Sequence, residues 1–225
     1  MKKFCKAIVL IVLPIMLNAG SKNLFDADFS VKKDLNDWIF QDKKKQPQCF
    51  KFQDGVLWTS PRELGGLFAR LPEPLEINDS VKKAVMTVVM KQVKDPARIV
   101  TFALSTEDRP SPGYASPFKT PGAGGVFFSV CYFNSKKHQE IGWRQDGKVV
   151  ISTRPPMKPY NMTNAEEWYT LTFTLDNENK TLTEQSSLGR TFSLQKADLN
   201  GLVLKGLFIP AMGVSYKSVK LTVER

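Results

Sequence analysis

The sequence predicts an all-β domain, a two-sheet antiparallel β-sandwich of jelly-roll type. Short runs rich in β-branched and aromatic residues recur along the chain. Turn pairs separate them: Asp54-Gly55, Gly65-Gly66, Asp146-Gly147, Asp176-Asn177 and Asn200-Gly201. No segment after the first twenty residues carries a long apolar stripe of helical period. About a dozen short strands in one unit suit a sandwich or jelly roll. The chain has 225 residues, 42% hydrophobic and 24% charged, long enough to bury a core and too apolar for disorder.

The N-terminal segment stands apart from this pattern. Lys2, Lys3 and Lys6 form a positive start, residues 7–17 form an apolar run broken only by Pro14, and Ala19-Gly20-Ser21 supplies small residues for cleavage. This reads as a secretory signal peptide over 1–21, bacterial in type, followed by one domain over 22–225. The apolar run is too short for a span, which takes roughly 20 residues, so no integral membrane span is expected after cleavage. Cys5 precedes the run and no Cys closes it, which argues against a lipid anchor. The expected location is therefore the periplasm or the extracellular space.

Strands are predicted over 38–41, 49–53, 56–60, 67–71, 81–93, 99–105 and 125–133, then 139–144, 149–153, 168–176, 181–184, 190–194, 202–209 and 215–224. Asp146-Gly147 between two such runs is a two-residue hairpin signal. Two Pro-rich connections, 107–124 and 154–167, are long for a compact domain, and loops on a β scaffold commonly carry function. Trp38 and Trp168, at strand starts, are expected in the core, and Trp58 can face either way.

Charge and cysteine usage narrow the partners. The formal charge is +10, and losing the three signal lysines leaves 29 basic groups against 22 acidic, or +7. That excess favours anionic glycans outside the cytoplasm. Nucleic acid is not expected, because Asp42-Lys43-Lys44-Lys45 reads as a solvated turn with no Arg-aromatic motif beside it. Cys49 and Cys131 allow two readings, a disulfide formed after export or two buried thiols in strands. One His and no C-x-x-C exclude a Cys/His zinc site, and no cofactor or metal is implied. The sequons at Asn161 and Asn179 are discounted with a bacterial signal.

Four segments resemble one superfamily. Trp38-Ile39-Phe40 with the run 50–57 is similar to the opening strands of concanavalin A-like lectin/glucanase domains of the laminin G-like jelly-roll type. The run 84–91 resembles their long core strand, 167–176 the strand that opens with Trp, and Gly213 with 218–223 the closing strand. Within that group the chain most resembles the secreted bacterial domains named for 3-keto-disaccharide hydrolase, from about Leu24 to Arg225. The resemblance implies a sandwich that binds or acts on carbohydrate. Calcium, common on this fold, would need a cluster of oxygen ligands, and no local Asp/Asn-rich loop announces one.

Catalysis on this fold has recognisable requirements. The E-x-D-x-(x)-E strand of laminarinase-type enzymes is absent, and the adjacent pairs Glu107-Asp108 and Glu166-Glu167 would diverge on a strand. Pro61-Arg62-Glu63-Leu64-Gly65 only echoes the R-x-E-L-R of some alginate lyases, and His138 beside two lysines reads as a surface residue. Carbohydrate binding is the favoured reading, with a hydrolase or lyase, and a structural or adhesive envelope protein, as rivals. Alternation places Glu140 and Arg144 on one strand face, with Ile141 and Trp143 on the other. The expected ligand-binding residues are Tyr114 and Tyr160, stacking on sugars from the Pro-rich loops, with Arg109, Glu140 and Arg144 hydrogen-bonding hydroxyls or pairing with acidic sugars. The rival reading of the 139–144 face is a plain solvated surface.

Overall fold

The computed structural model describes residues 20–31, 34–42, 49–60, 65–92, 99–110, 118, 122–131, 139–153, 167–211 and 213–225. Among the described residues fifteen strands run in chain order: β1 (Ser21–Asp28), β2 (Trp38–Phe40), β3 (Phe50–Gln53), β4 (Val56–Thr59), β5 (Gly65–Glu76), β6 (Lys83–Gln92), β7 (Ile99–Ser105), β8 (Gly125–Cys131), β9 (Gln139–Gln145), β10 (Lys148–Thr153), β11 (Tyr169–Asp176), β12 (Thr181–Ser186), β13 (Arg190–Gln195), β14 (Val203–Ala211) and β15 (Val214–Glu224). Every predicted strand is present. β1 is an addition, and its first residue, Ser21, pairs with Glu224 one residue before the predicted domain start.

The strands form two antiparallel sheets. One has eight strands, ordered β13-β12-β11-β6-β15-β4-β3, with β1 also paired to β15; the other has seven, ordered β10-β9-β8-β7-β14-β5-β2. Period-two alternation makes this a sandwich. Ala84, Met86, Val88 and Met90 of β6, and Leu171, Phe173 and Leu175 of β11, point inward. Phe102 and Phe128 of the facing sheet meet Phe173, with ring centres 5.0 and 4.6 Å away. At the other edge Phe40 of β2 meets Phe50 of β3 at 5.4 Å, closing the sandwich there.

Local chemistry explains the turns and irregularities. The Asp54-Gly55 and Asp146-Gly147 hairpins have positive φ at both residues, 52° and 71°, then 52° and 72°, the geometry that favours Asp-Gly. β5 runs past its predicted end through Pro72 and Pro74. It can do so because the ladder with β14 jumps from Leu75↔Leu204 to Arg70↔Gly206, leaving both prolines in a bulge that asks for no N–H.

Trp38 is core, at 4% exposure. Trp168 is a correction: it is only half-buried, and the ammonium groups of Lys91 and Lys217 lie over its ring. Cys49 is buried just before β3, whereas Cys131 ends β8 in the other sheet. β8 stands four places along from β2, the strand that faces β3.

Candidate functional site

The outer face of the seven-stranded sheet carries a second, smaller apolar cluster. Where Leu67, Phe102, Phe128 and Leu207 point into the core, the alternate residues Phe68, Ala103, Phe127 and Phe208 point outward. Phe118 and Ala123, from the connection between β7 and β8, cover them at 2% and 0% exposure. Arg70 helps to hold that connection down, its Nε donating to the Asp108 carbonyl at 2.8 Å. The Pro-rich segment between β7 and β8 is thus anchored against the sheet at its described residues.

Glycines let the rings lie flat. A Cβ on Gly206 would fall 2.0 Å from the Phe68 ring, and one on Gly66 would fall 2.1 Å from the Phe208 ring. Phe68 and Phe208 are direct cross-strand partners, so each ring rests on the glycine two residues before the other. A polar row borders the cluster, where Thr101, Ser129 and Glu140 stand side by side on β7, β8 and β9. The Thr101 and Ser129 hydroxyls are 2.9 Å apart.

At one end of this sheet, where Arg144 stands, a cleft of about 410 Å³ opens. Three segments wall it: the β9–β10 hairpin, the two ends of the β7–β8 connection, and the stretch leading into β14. Its polar lining includes Glu107, Arg144, Asp146, Asn200 and Lys205, with Trp143 at the wall. The formal charges among those residues cancel, two acids against two bases. The Trp143 Nε1 is shielded from solvent with no hydrogen-bond partner among the described residues.

Backbone bonds fix these walls. Thr106 N donates to the Gly124 carbonyl, and Gly124 N donates to Thr106 Oγ1, both at 2.9 Å. Gly147 N donates to the Ala123 carbonyl at 2.7 Å, tying the hairpin to the connection. Gly201 N donates to the Ile77 carbonyl at 2.7 Å. The Arg144 guanidinium donates to the Gly147 carbonyl at 3.4 Å. Just outside the lining, Asp198 accepts from Asn200 N and pairs with Lys180, interactions that hold its carboxyl below the usual carboxylate range.

The expected site residues divide. Arg144 lines the cleft, and Glu140 shares its strand face, as alternation required. Glu140 is not in the lining; it is buried two pleats away, at 9% exposure, so the face is not simply solvated. Arg109 is exposed and is not part of the lining. Tyr114 and Tyr160 lie outside the described residues. Asp146 and Asn200 were legible only as turn residues, and Lys205 carried no signal. Glu107 stood out only as half of a diverging pair. Trp143, on the opposite strand face, packs against the core yet also walls the cleft. Among the described residues no group of three His, Cys, Asp or Glu side chains is placed to hold a metal ion.

No family model and no curated protein matches the chain by sequence. Solved structures do match in fold. The carbohydrate recognition domain of Emp47p aligns with a TM-score of 0.58 at 11% identity, over 92% of this chain and 98% of that one. Lectin I-B4 from Griffonia simplicifolia, in a metal-free form, aligns at 0.56 and 13% identity, over 88% and 99%. Lectin UEA-II, complexed with galactose, aligns at 0.54 and 16% identity, over 91% and 100%. In fold, the chain shares the two-sheet, concanavalin A-like jelly-roll sandwich of these neighbours.

Proposed function

We propose that the chain is an exported carbohydrate-binding domain whose ligand seats in the cleft beside Arg144. The observation that carries this reading is the cleft lining, which brings Glu107, Arg144, Asp146, Asn200 and Lys205 to one cavity walled by Trp143. A sugar asks for that mixture of donors and acceptors, with a ring against its C–H face. Walls already fixed by backbone bonds need little ordering on binding. The fold neighbours, by their own names, are a carbohydrate recognition domain and lectins, one of them complexed with galactose.

The balanced charge of the lining favours a neutral sugar in the cleft. An acidic polysaccharide there has only the net charge of the processed chain in its support. Export rests on the N-terminal pattern; β1 begins at Ser21, the last of its small residues.

A glycan array with the purified protein tests the reading. Binding to neutral glycans is expected, with at least a tenfold loss on Asn200→Ala at unchanged melting temperature and on Arg144→Ala, which should stay folded with a small loss of stability. No binding to any glycan would overturn it and leave the structural or adhesive reading. The rival is a hydrolase like the 3-keto-disaccharide group, using Glu107 and Asp146 as its carboxyl groups. Release of free sugar from 3-keto-disaccharides or β-glucans, lost on Glu107→Gln, would replace binding with catalysis.

A further inference from the structure

The outer face of the eight-stranded sheet, on the far side of the sandwich from the Phe cluster, carries a row of a different kind. Lys51 of β3 pairs with Trp58 of β4, Trp58 with Ser215 of β15, and Ser215 with Lys91 of β6. Trp168 continues the line, because its neighbour Tyr169 pairs with Met90. Leu57, Tyr216, Met90 and Tyr169 all point into the core, so the row residues beside them point out, with the central Ser215 covered at 2% exposure. Lys217 joins the row through a bulge: β15 skips one place between Tyr216 and Ser218, and the extra residue turns outward. Across five strands the row is about 19 Å long.

Cations and rings interleave along it. The Lys51 Nζ lies 4.7 Å from the Trp58 ring centre, and Lys217 and Lys91 lie 4.4 and 5.2 Å from that of Trp168. Elsewhere lysines meet carboxylates: Lys22 with Glu73, Lys83 with Asp176, Lys180 with Asp198, Lys220 with Asp26. Among the described residues no carboxylate forms an ion pair with Lys51, Lys91 or Lys217. In sequence, Asp54 stands three residues from Lys51, Asp95 four from Lys91, and Glu167 beside Trp168. A ring held under an ammonium group orients the charge without neutralising it.

We infer that this row is a second binding face, separate from the cleft, for a linear acidic polysaccharide lying across the strands. A polymer with regularly spaced carboxylates can meet Lys51, Lys91 and Lys217 in turn, while its sugar rings pass over the edges of Trp58 and Trp168. Beyond the row the face is mixed: Thr87, Thr172, Thr174 and Thr183 point outward, with Thr183 bonded to Ser193 at 3.0 Å, and Val85 and Val89 are half-buried among them. A membrane surface fits less well. Among the described residues, none of the exposed large apolar side chains, Val31, Val149, Val150, Leu188 and Val203, stands in a strand of this sheet.

Calorimetric titration of the purified protein with polygalacturonate, with dextran as the neutral control, tests the inference. Polygalacturonate should bind, and more weakly as salt rises. The triple variant Lys51→Gln/Lys91→Gln/Lys217→Gln should lose at least tenfold in affinity, and the corresponding Lys→Arg triple should keep it. Arg144→Ala, which empties the cleft of its guanidinium, should leave this binding intact even if neutral glycans never bind. Absence of binding, or binding that survives the Gln triple, overturns the inference. Loss on Arg144→Ala would move the acidic ligand to the cleft. Binding to phosphatidylglycerol vesicles without binding to polygalacturonate would assign the row to a lipid surface instead.

Discussion

The Arg144 guanidinium lies 5.4 Å from the centre of the Phe127 ring, so one side chain joins the cleft to the apolar cluster on the outer face of the seven-stranded sheet. The ring supplies attraction to the cation, and the Gly147 carbonyl supplies an acceptor. Arg144→Lys should keep the charge but lose the planar stacking surface. The expected result is a loss of about 0.5–1 kcal/mol in folding stability, measured by urea denaturation. Affinity for the neutral glycan should fall as well. An unchanged affinity would mean that the cleft needs only a positive charge.

The reciprocal packing of Phe68 over Gly206 and Phe208 over Gly66 gives a sharper test. A Cβ at Gly206 would also stand 2.8 Å from the Ala69 carbonyl oxygen, which belongs to the backbone and cannot rotate away. Gly206→Ala should therefore cost about 1–3 kcal/mol, the usual range for overpacking. Adding Phe68→Ala removes the ring but not the carbonyl, so the double variant should recover only part of the clash. A double-mutant cycle in urea separates the two contributions.

How much of this was legible follows from period and locality. Alternation within single strands predicted the sheets, and it placed Arg144 and Glu140 opposite Ile141 without reference to any other strand. β1 escaped because five of the eight residues in its Ser-Lys-Asn-Leu-Phe-Asp-Ala-Asp run are polar and its ladder shifts between Asn23 and Phe25, which breaks the alternation. Trp168 was misplaced because a strand start does not say which face its residue takes, and the bulge at Lys217 has no sequence mark. The cleft was legible only at Arg144. Glu107 and Lys205 are brought close by the pairing of β7 with β14, a long-range fact that no local pattern encodes.

Tyr216 is wholly buried, and its hydroxyl donates to the Pro210 carbonyl at 2.6 Å. Burial, with the neighbouring Tyr169, pushes its pKa well above the ordinary tyrosine value. In the folded protein the phenol therefore keeps its proton after an unfolded chain has begun to lose it. The associated stability is complete below the unfolded tyrosine pKa, about 10. It is lost as pH rises through that value toward the higher folded one. Tyr216→Phe should cost about 1–3 kcal/mol at neutral pH by leaving the buried carbonyl unpaired. Its melting temperature should then fall less steeply than that of the parent above pH 10, as followed by circular dichroism.

Processing at the N-terminus has its own structural stake. Ser21 pairs with Glu224, and Arg225 N donates to the Gly20 carbonyl at 3.3 Å. Cleavage near Ala19 or Gly20 leaves β1 whole, whereas cleavage several residues later would remove its ladder to the end of β15. Edman sequencing of protein exported by a bacterial host should give a start between Gly20 and Lys22. A start at Phe25 or beyond would contradict the assignment of the leader, and a start at Met1 would contradict export.

Asp176 offers a test at the acid end. Burial works to raise its pKa, but hydrogen bonds from Asn179 N and Nδ2, both at 2.9 Å, and the nearby Lys83 outweigh it and hold the carboxyl below its ordinary range. A depressed folded pKa contributes stability above the unfolded value, about 3.9 for Asp. That contribution disappears as pH falls through the folded value. The carboxylate fixes the turn between β11 and β12 and pairs with Lys83 at 3.6 Å, so its protonation loosens the join between β6 and β11. Asp176→Asn should melt below the parent at pH 7, and the gap should narrow as the pH drops below 4. A gap that stays constant across that range would show that the side chain acts through shape alone.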